Sequence, residues 1–140
     1  MFTNSDMTLF NRYYDKDEDT YKYVRTYLRG VNWQDSKSVI ISSTGVTSED
    51  STRIFIPLNV DSEEKKYYKP KSFKNLGDKS KIYTFDNEDI VVKGIIDFDA
   101  NALRGISQIQ KDYDDVMTIT KVIDNRYGTR GVQHFELEVK

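Results

Sequence analysis

The chain has 140 residues, 31% of them charged and 37% aliphatic or aromatic, with a net charge of −2. That length supports one domain around a single core, and charges of both signs so evenly mixed argue against a surface given over as a whole to nucleic acid. The absence of Cys excludes disulfides, thiolate metal sites and Cys catalysis together. No apolar run approaches the ~18 residues that span a bilayer, and the N-terminus lacks a signal-peptide apolar region, so a soluble protein that works in the cytoplasm without membrane contact is expected.

In chain order, Met7 to Tyr14 is β-prone and ends at Asp15-Lys16-Asp17-Glu18-Asp19. The spacing of these acids starts like a calcium loop. It lacks the required sixth-position Gly (Thr20) and twelfth-position Glu (Thr26), so a solvated turn is expected. Thr20 to Leu28 alternates, Tyr21, Tyr23, Arg25 and Tyr27 against Lys22, Val24, Thr26 and Leu28. Gly30 then predicts a bulge before Val31 and Trp33. After a short strand at Val39 to Ile41, the segment Ser42 to Thr52 is rich in Ser and Thr and reads as a mobile polar arm. Its members Ser42, Ser43, Thr44, Gly45, Val46, Thr47 and Ser48 are the candidate interface arm. Thr52 to Leu58 is a further strand, with Pro57 near its end.

Asp61 to Lys81 is irregular and carries Lys65, Lys66, Lys69, Lys71, Lys74, Lys79 and Lys81 among Tyr67, Tyr68 and Phe73. Pro70 opens a short helical turn through Leu76, closed by Gly77. Lysines between aromatics suit a nucleic-acid backbone or an acidic protein neighbour, and they also suit an ordinary solvated loop. Strands Lys81 to Phe85 and Ile90 to Ile96 follow, joined by the turn Asp86-Asn87-Glu88-Asp89. One helix, Ala100 to Asp112, has Leu103, Ile106, Ile109 and Tyr113 on one side, Arg104, Gln108 and Lys111 between them, and Asp99 placed as its cap. A hairpin of Val116 to Ile123 and Val132 to Val139 closes the chain, with Phe135, Leu137 and Val139 opposed to His134, Glu136 and Glu138. This inventory predicts a mainly β fold: a small antiparallel β-barrel or curled sheet spanning residues 1–140 as a single domain, with one packed helix and long projecting loops. The expected core includes Trp33, Ile54, Ile56, Val91, Ile119, Phe135 and Leu137.

Chemistry finds little purchase. There is one His and no Gly-x-Ser-x-Gly, Gly-x-Gly-x-x-Gly or phosphate-cradling motif. His134 lies on a strand beside Phe135 and reads as structural, and Asp114-Asp115 reads as a helix-to-strand turn. No catalytic residue, metal ligand or cofactor is expected, and the chain is not read as an enzyme.

Six segments in order carry a resemblance: Met7-Thr8-Leu9-Phe10-Asn11-Arg12-Tyr13, Gly30-Val31-x-Trp33, Asp50-Ser51 with Ile56-Pro57, Asp89-x-Val91-Val92-x-Gly94, Tyr113-Asp114-Asp115-Val116, and Tyr127-Gly128 with His134-Phe135. Across essentially its whole length the chain resembles small proteins that tailed phages and prophages of Gram-positive bacteria encode between capsid and tail-tube genes. Phe135 stands where that family often has Trp after the His, and it preserves the aromatic plug. The resemblance implies a structural virion protein of the neck, a head-tail connector or head-closure (stopper) subunit. It implies a homo-oligomeric ring, hexameric or alternatively dodecameric, with portal or adaptor and tail-terminator or tail-completion proteins as neighbours, and transient DNA contact in the channel. A tail-completion or tail-terminator protein is the nearest alternative. An OB-like binder of single-stranded nucleic acid, stacking bases on Tyr21, Tyr23 and Tyr27, is the alternative of another class.

Overall fold

The computed structural model describes residues 2–42, 45–101 and 105–140, and for 36–42 and 46–51 the backbone alone. The described elements run β1 (Ser5–Asp15), β2 (Thr20–Ser42), β3 (Gly45–Pro57), β4 (Lys66–Tyr67), α1 (Pro70–Asn75), β5 (Ile82–Tyr83), β6 (Ile90–Lys93), α2 (Gly105–Asp112), β7 (Val116–Asn125), a 3-10 turn (Arg130–Val132) and β8 (His134–Val139). Six of these strands close into an antiparallel barrel in the order β1-β2-β3-β8-β7-β6. Closure follows from two-sided patterning. In β1, Met7 and Leu9 point into the barrel while Phe10, between Leu9 and Asn11, points out into a second apolar layer. The expected core residues Trp33, Ile54, Ile56, Val91, Ile119, Phe135 and Leu137 all lie buried in the barrel interior. Phe10, Ile90 and Val92 form the outer layer with Ile96 and with Ile109 of α2, which thereby seats on the β1–β6 wall.

Two kinks give the sheet its curl. The register of β1 against β2 passes from Ser5↔Val31 to Asp6↔Arg29, leaving Gly30 as the extra residue of a bulge with φ +89°. Its N–H donates to Asp6 Oδ1 at 3.0 Å. The Asp6 carbonyl accepts the N–H of Gly94 at 2.7 Å, where φ +89° ends β6. A second register shift, between Ile119 and Lys121, leaves Thr120 opposite the β8 strand without a partner residue.

Several expectations from the sequence change here. β2 is one continuous strand through Ser42, and the Ser/Thr-rich arm pairs with it as β3, from Asp35↔Thr52 out to Ser42↔Gly45. Backbone N–H and C=O groups make this ladder whatever the side chains, so a polar composition did not prevent it. Ser43 and Thr44 lie outside the described residues. β3 meets β8 only from Thr52 to Pro57. The pairs from Ser36↔Ser51 outward therefore form a two-stranded arm, roughly 20–25 Å long at ~3.4 Å per residue. At its root, one Asp35 oxygen accepts bonds from the Trp33 indole N–H (3.1 Å) and the Thr52 hydroxyl (2.8 Å).

β6 stops at Lys93 rather than Ile96, because the chain turns at Gly94 and Ile96 N–H bonds the Thr8 hydroxyl instead. β5 is two residues long and pairs in parallel with β4, so residues 86–89 do not form a hairpin between β5 and β6. α1 ends with Leu76 in extended conformation, so Gly77 is not its left-handed cap. α2 is described from Gly105, and Leu103 and Arg104 lie outside the described residues. Asp99 accepts the N–H of Asn101 (2.9 Å), and Asn101 bonds both the N–H and the C=O of Tyr23, so this segment is tied to β2.

The seam where β6 meets β1 is clamped by a buried polar knot. Asp89, 2% exposed, accepts bonds from the Asn11 amide (2.8 Å), the Arg12 N–H (2.9 Å) and the Asp86 N–H (3.1 Å). Asn11 also donates to Thr84 O (2.7 Å) and accepts Thr84 N–H (3.2 Å), which replaces a strand partner that Thr84 lacks. Burial pushes the Asp89 carboxyl up to about 7, against the pull of its three N–H donors.

Two outcomes follow. Because the folded chain holds this proton where the unfolded chain, titrating near pH 4, has released it, the stability that Asp89 contributes is fully present below pH ~4 and is lost as pH rises through about 7. Asp89→Asn sets an amide N–H against one of three donors, so it should cost about 1–3 kcal/mol in urea unfolding and flatten that pH dependence. A variant as stable as wild type, with the same pH profile, refutes this account. Separately, Gly30→Ala forces a Cβ into positive φ and should cost about 1–2 kcal/mol, read as a lower urea midpoint at unchanged slope.

Candidate functional site

The seven lysines of residues 65–81 do not form one patch. Lys65 is half-buried, and its Nζ donates to Arg25 O (2.6 Å) and to the Thr26 hydroxyl (3.1 Å), with burial lowering its pKa. Lys79 donates to the carbonyl of Leu76 and lies over the rings of Tyr13 (5.0 Å) and Phe73 (5.7 Å). Lys74 pairs with Asp86 at 3.2 Å. These three hold the segment to the barrel. Lys66, Lys69, Lys71 and Lys81 are exposed, and their ammonium groups make no hydrogen bond or ion pair among the described residues. The functional candidates therefore narrow from seven to four, and Lys74 leaves the group expected to meet a partner.

Lys66 borders a cleft that the sequence did not announce. Its volume is about 370 Å³, and its floor is Ile56, Tyr67, Tyr83 and Phe135 at the end of β3. Tyr67 is tilted on Phe135 at 4.6 Å, and the Arg126 guanidinium covers both rings at 5.2 and 5.0 Å. Arg126 is in turn gripped by Asp124 through two bonds of 2.8 and 2.7 Å, which holds the Asp124 carboxyl below its usual range. A second hollow of about 660 Å³ shares Pro57 and Leu58 with the first and adds Asn59, Arg130, Gly131 and Gln133. Around it stand Leu58 (45% exposed), Val132 (56%) and Tyr127 (80%). The loop joining β7 to β8 supplies Arg130, Gly131 and Gln133 of the second hollow and Arg126 of the first. In the sequence this loop shows only two glycines and a length too great for a two-residue hairpin turn, and its apolar tips carry no pattern.

His134 is fully engaged. Its Nδ1 donates to Val132 O at 2.7 Å, and its Nε2 lies 3.4 Å from the Asn125 amide. These two contacts fix the start of β8. Among the described residues no three His, Asp or Glu side chains gather as metal ligands, and no helix is long and apolar enough to cross a membrane. Asp114 and Asp115 are exposed at the turn into β7.

The charged turn after β1 is built as a turn. Asp15 Oδ1 accepts the N–H groups of Asp17 (2.9 Å) and Glu18 (3.3 Å), and Lys22 bridges Glu18 (2.8 Å) and Asp15 (3.1 Å). Of the three tyrosines on β2, only Tyr21 is mostly exposed, and the Arg12 guanidinium lies over its ring at 4.4 Å. Tyr23 packs into the outer apolar layer, and Tyr27 donates its hydroxyl to Ile96 O at 2.9 Å.

This sorting of the lysines can be checked by stability. Lys65→Ala should cost about 1 kcal/mol, reduced from a fully buried value by solvent screening. Lys69→Ala should change stability by less than ~0.5 kcal/mol. Equal effects of the two substitutions on the thermal midpoint contradict the assignment.

No curated protein and no solved structure matches the chain. A family model does match, over residues 2–140, and its description is that of a family of unknown function. The chain thus belongs to the DUF6751 family.

Proposed function

We propose that this protein is a structural subunit of the tailed-phage neck, assembling as a ring between the portal or adaptor and the tail. The observation that carries the reading is the β2–β3 arm. From Ser36↔Ser51 to Ile41↔Val46 the ladder joins β2 and β3 to each other with no third strand beside them among the described residues, and an isolated two-stranded hairpin is marginal in water. Such an arm gains most when it lies against another chain, as strand pairing or as a clasp. A closed barrel suits the body of a ring subunit because it has no open edge of its own to propagate disordered association. The resemblance of the six segments to neck proteins supplies the location.

The reading as a single-stranded nucleic-acid binder draws less support, since Tyr23 and Tyr27 are spent on internal contacts. In the neck reading, the free cations Lys69, Lys71 and Lys81 face either the DNA channel or an acidic neighbour. Each such pair contributes roughly 0–1 kcal/mol, but a ring repeats it in every subunit.

Averaged imaging of the particle neck should place the subunit in a ring there, and a position in the capsid shell or baseplate rejects the proposal. Replacing Lys69, Lys71 and Lys81 together by Gln should leave the fold intact while DNA-filled heads leak or fail to join tails. Normal yields of infectious, tailed particles from that triple variant would mean that these lysines are only a solvated face.

A further inference from the structure

Both hollows beneath the β7–β8 loop are lined without a single carboxylate, although the chain as a whole carries a net charge of −2. Lys65 and Arg126 are engaged internally, so the charges free to meet a partner are those of Lys66 and Arg130. The floor between them is apolar. Its aromatic faces are already covered by Arg126 and by one another, so it offers no platform for stacking bases.

The complement of this surface is on the same molecule. The β1–β2 turn carries four carboxylates and one lysine over residues 15–19, and those of Asp17 and Asp19 have no cationic partner among the described residues. It is flanked by Tyr14 and Tyr21, 47% and 55% exposed and in edge contact at 5.5 Å. In the barrel order, β1 and β2 stand three places from β8 and β7 respectively, and the antiparallel pairings bring the acidic turn and the β7–β8 loop to the same end of the barrel, on opposite sides of its mouth. A head-to-tail contact between these two sides satisfies both, and repeated head-to-tail contacts close rings.

We infer that the acidic β1–β2 turn of one copy docks into the basic cleft of the next, Asp17 and Asp19 opposite Lys66 and Arg130, with Tyr14 and Tyr21 on the apolar rim. This rests on the ring reading above and names its subunit contact. The partner is a second copy of this chain.

Sedimentation of purified protein at low ionic strength tests it. Wild type should self-associate, more weakly as salt rises. Asp17→Lys with Asp19→Asn should weaken association by about tenfold or more, and so should Lys66→Glu with Arg130→Glu. Asn is used at position 19 because φ there is +51°, which Asn tolerates. All four positions are exposed, and a circular dichroism spectrum like that of wild type is the check that each variant is folded. Mixing the two one-sided variants should restore association, since the acidic turn of the cleft variant then meets the unaltered cleft of the turn variant. Variants that associate like wild type, or a mixture that fails to recover, overturn this contact while leaving the neck ring to stand on particle imaging. Wild type that stays monomeric at low salt and high concentration overturns it as well. A ring seen in the neck under those circumstances is held by other surfaces.

Discussion

A six-stranded barrel closes only if the strands at the two ends of its order also pair, and here β1, with β2 on one side, takes the four-residue β6 on the other. So short a ladder brings few backbone bonds to the seam. The Asn11–Asp89 knot supplies the rest by fixing the entrance to β6 and tying Thr84 and Asp86 to β1. The outer layer then builds on the closed wall, since Ile90 and Val92 can receive α2 only once β6 is in place. Removing a partner from such a network leaves desolvated donors behind, which is why its members are coupled rather than additive.

The two apolar layers divide the labour of the fold. The interior sets the barrel radius with Trp33, Phe135, Ile54, Leu137 and their neighbours, while the outer layer fixes α2 and, through Asn101, the chain leading to it. Function on this account is carried by what the layers leave outside: the two long hairpins and the β7–β8 loop. Each is built on a strand whose other end is held in the core, so its position is defined even where its tip makes few contacts.

Much of this was legible in the residues. The strict alternation in 134–139 gave the orientation of β8 without ambiguity, and Gly30 announced its bulge because a glycine within a strand pattern has few other uses. Other features carried no local signal. β4 and β5 are two residues each and exist only because loops bring them together from 16 residues apart in sequence. Asp89 closes a run of Asp, Asn, Glu and Asp that reads as solvent-facing, and its burial depends on Asn11, far away in the chain. The arm read as a loop because composition speaks for side chains, whereas the ladder is made by backbone. The cleft escaped for a related reason: of its floor only Ile56 and Phe135 were expected in the core, while Tyr67, Tyr83 and the cations at its rim come from separate segments.

The latch at the root of the arm also gives the molecule a built-in optical reporter. Trp33 is the one tryptophan of the chain, it is 3% exposed, and its indole N–H is bonded to the same Asp35 oxygen that holds Thr52. Intrinsic emission excited at the indole band therefore arises from a single, dry site at the junction between barrel and arm. Any event that pulls on the arm loosens that bond before it reaches the core, and the emission wavelength registers it without a label.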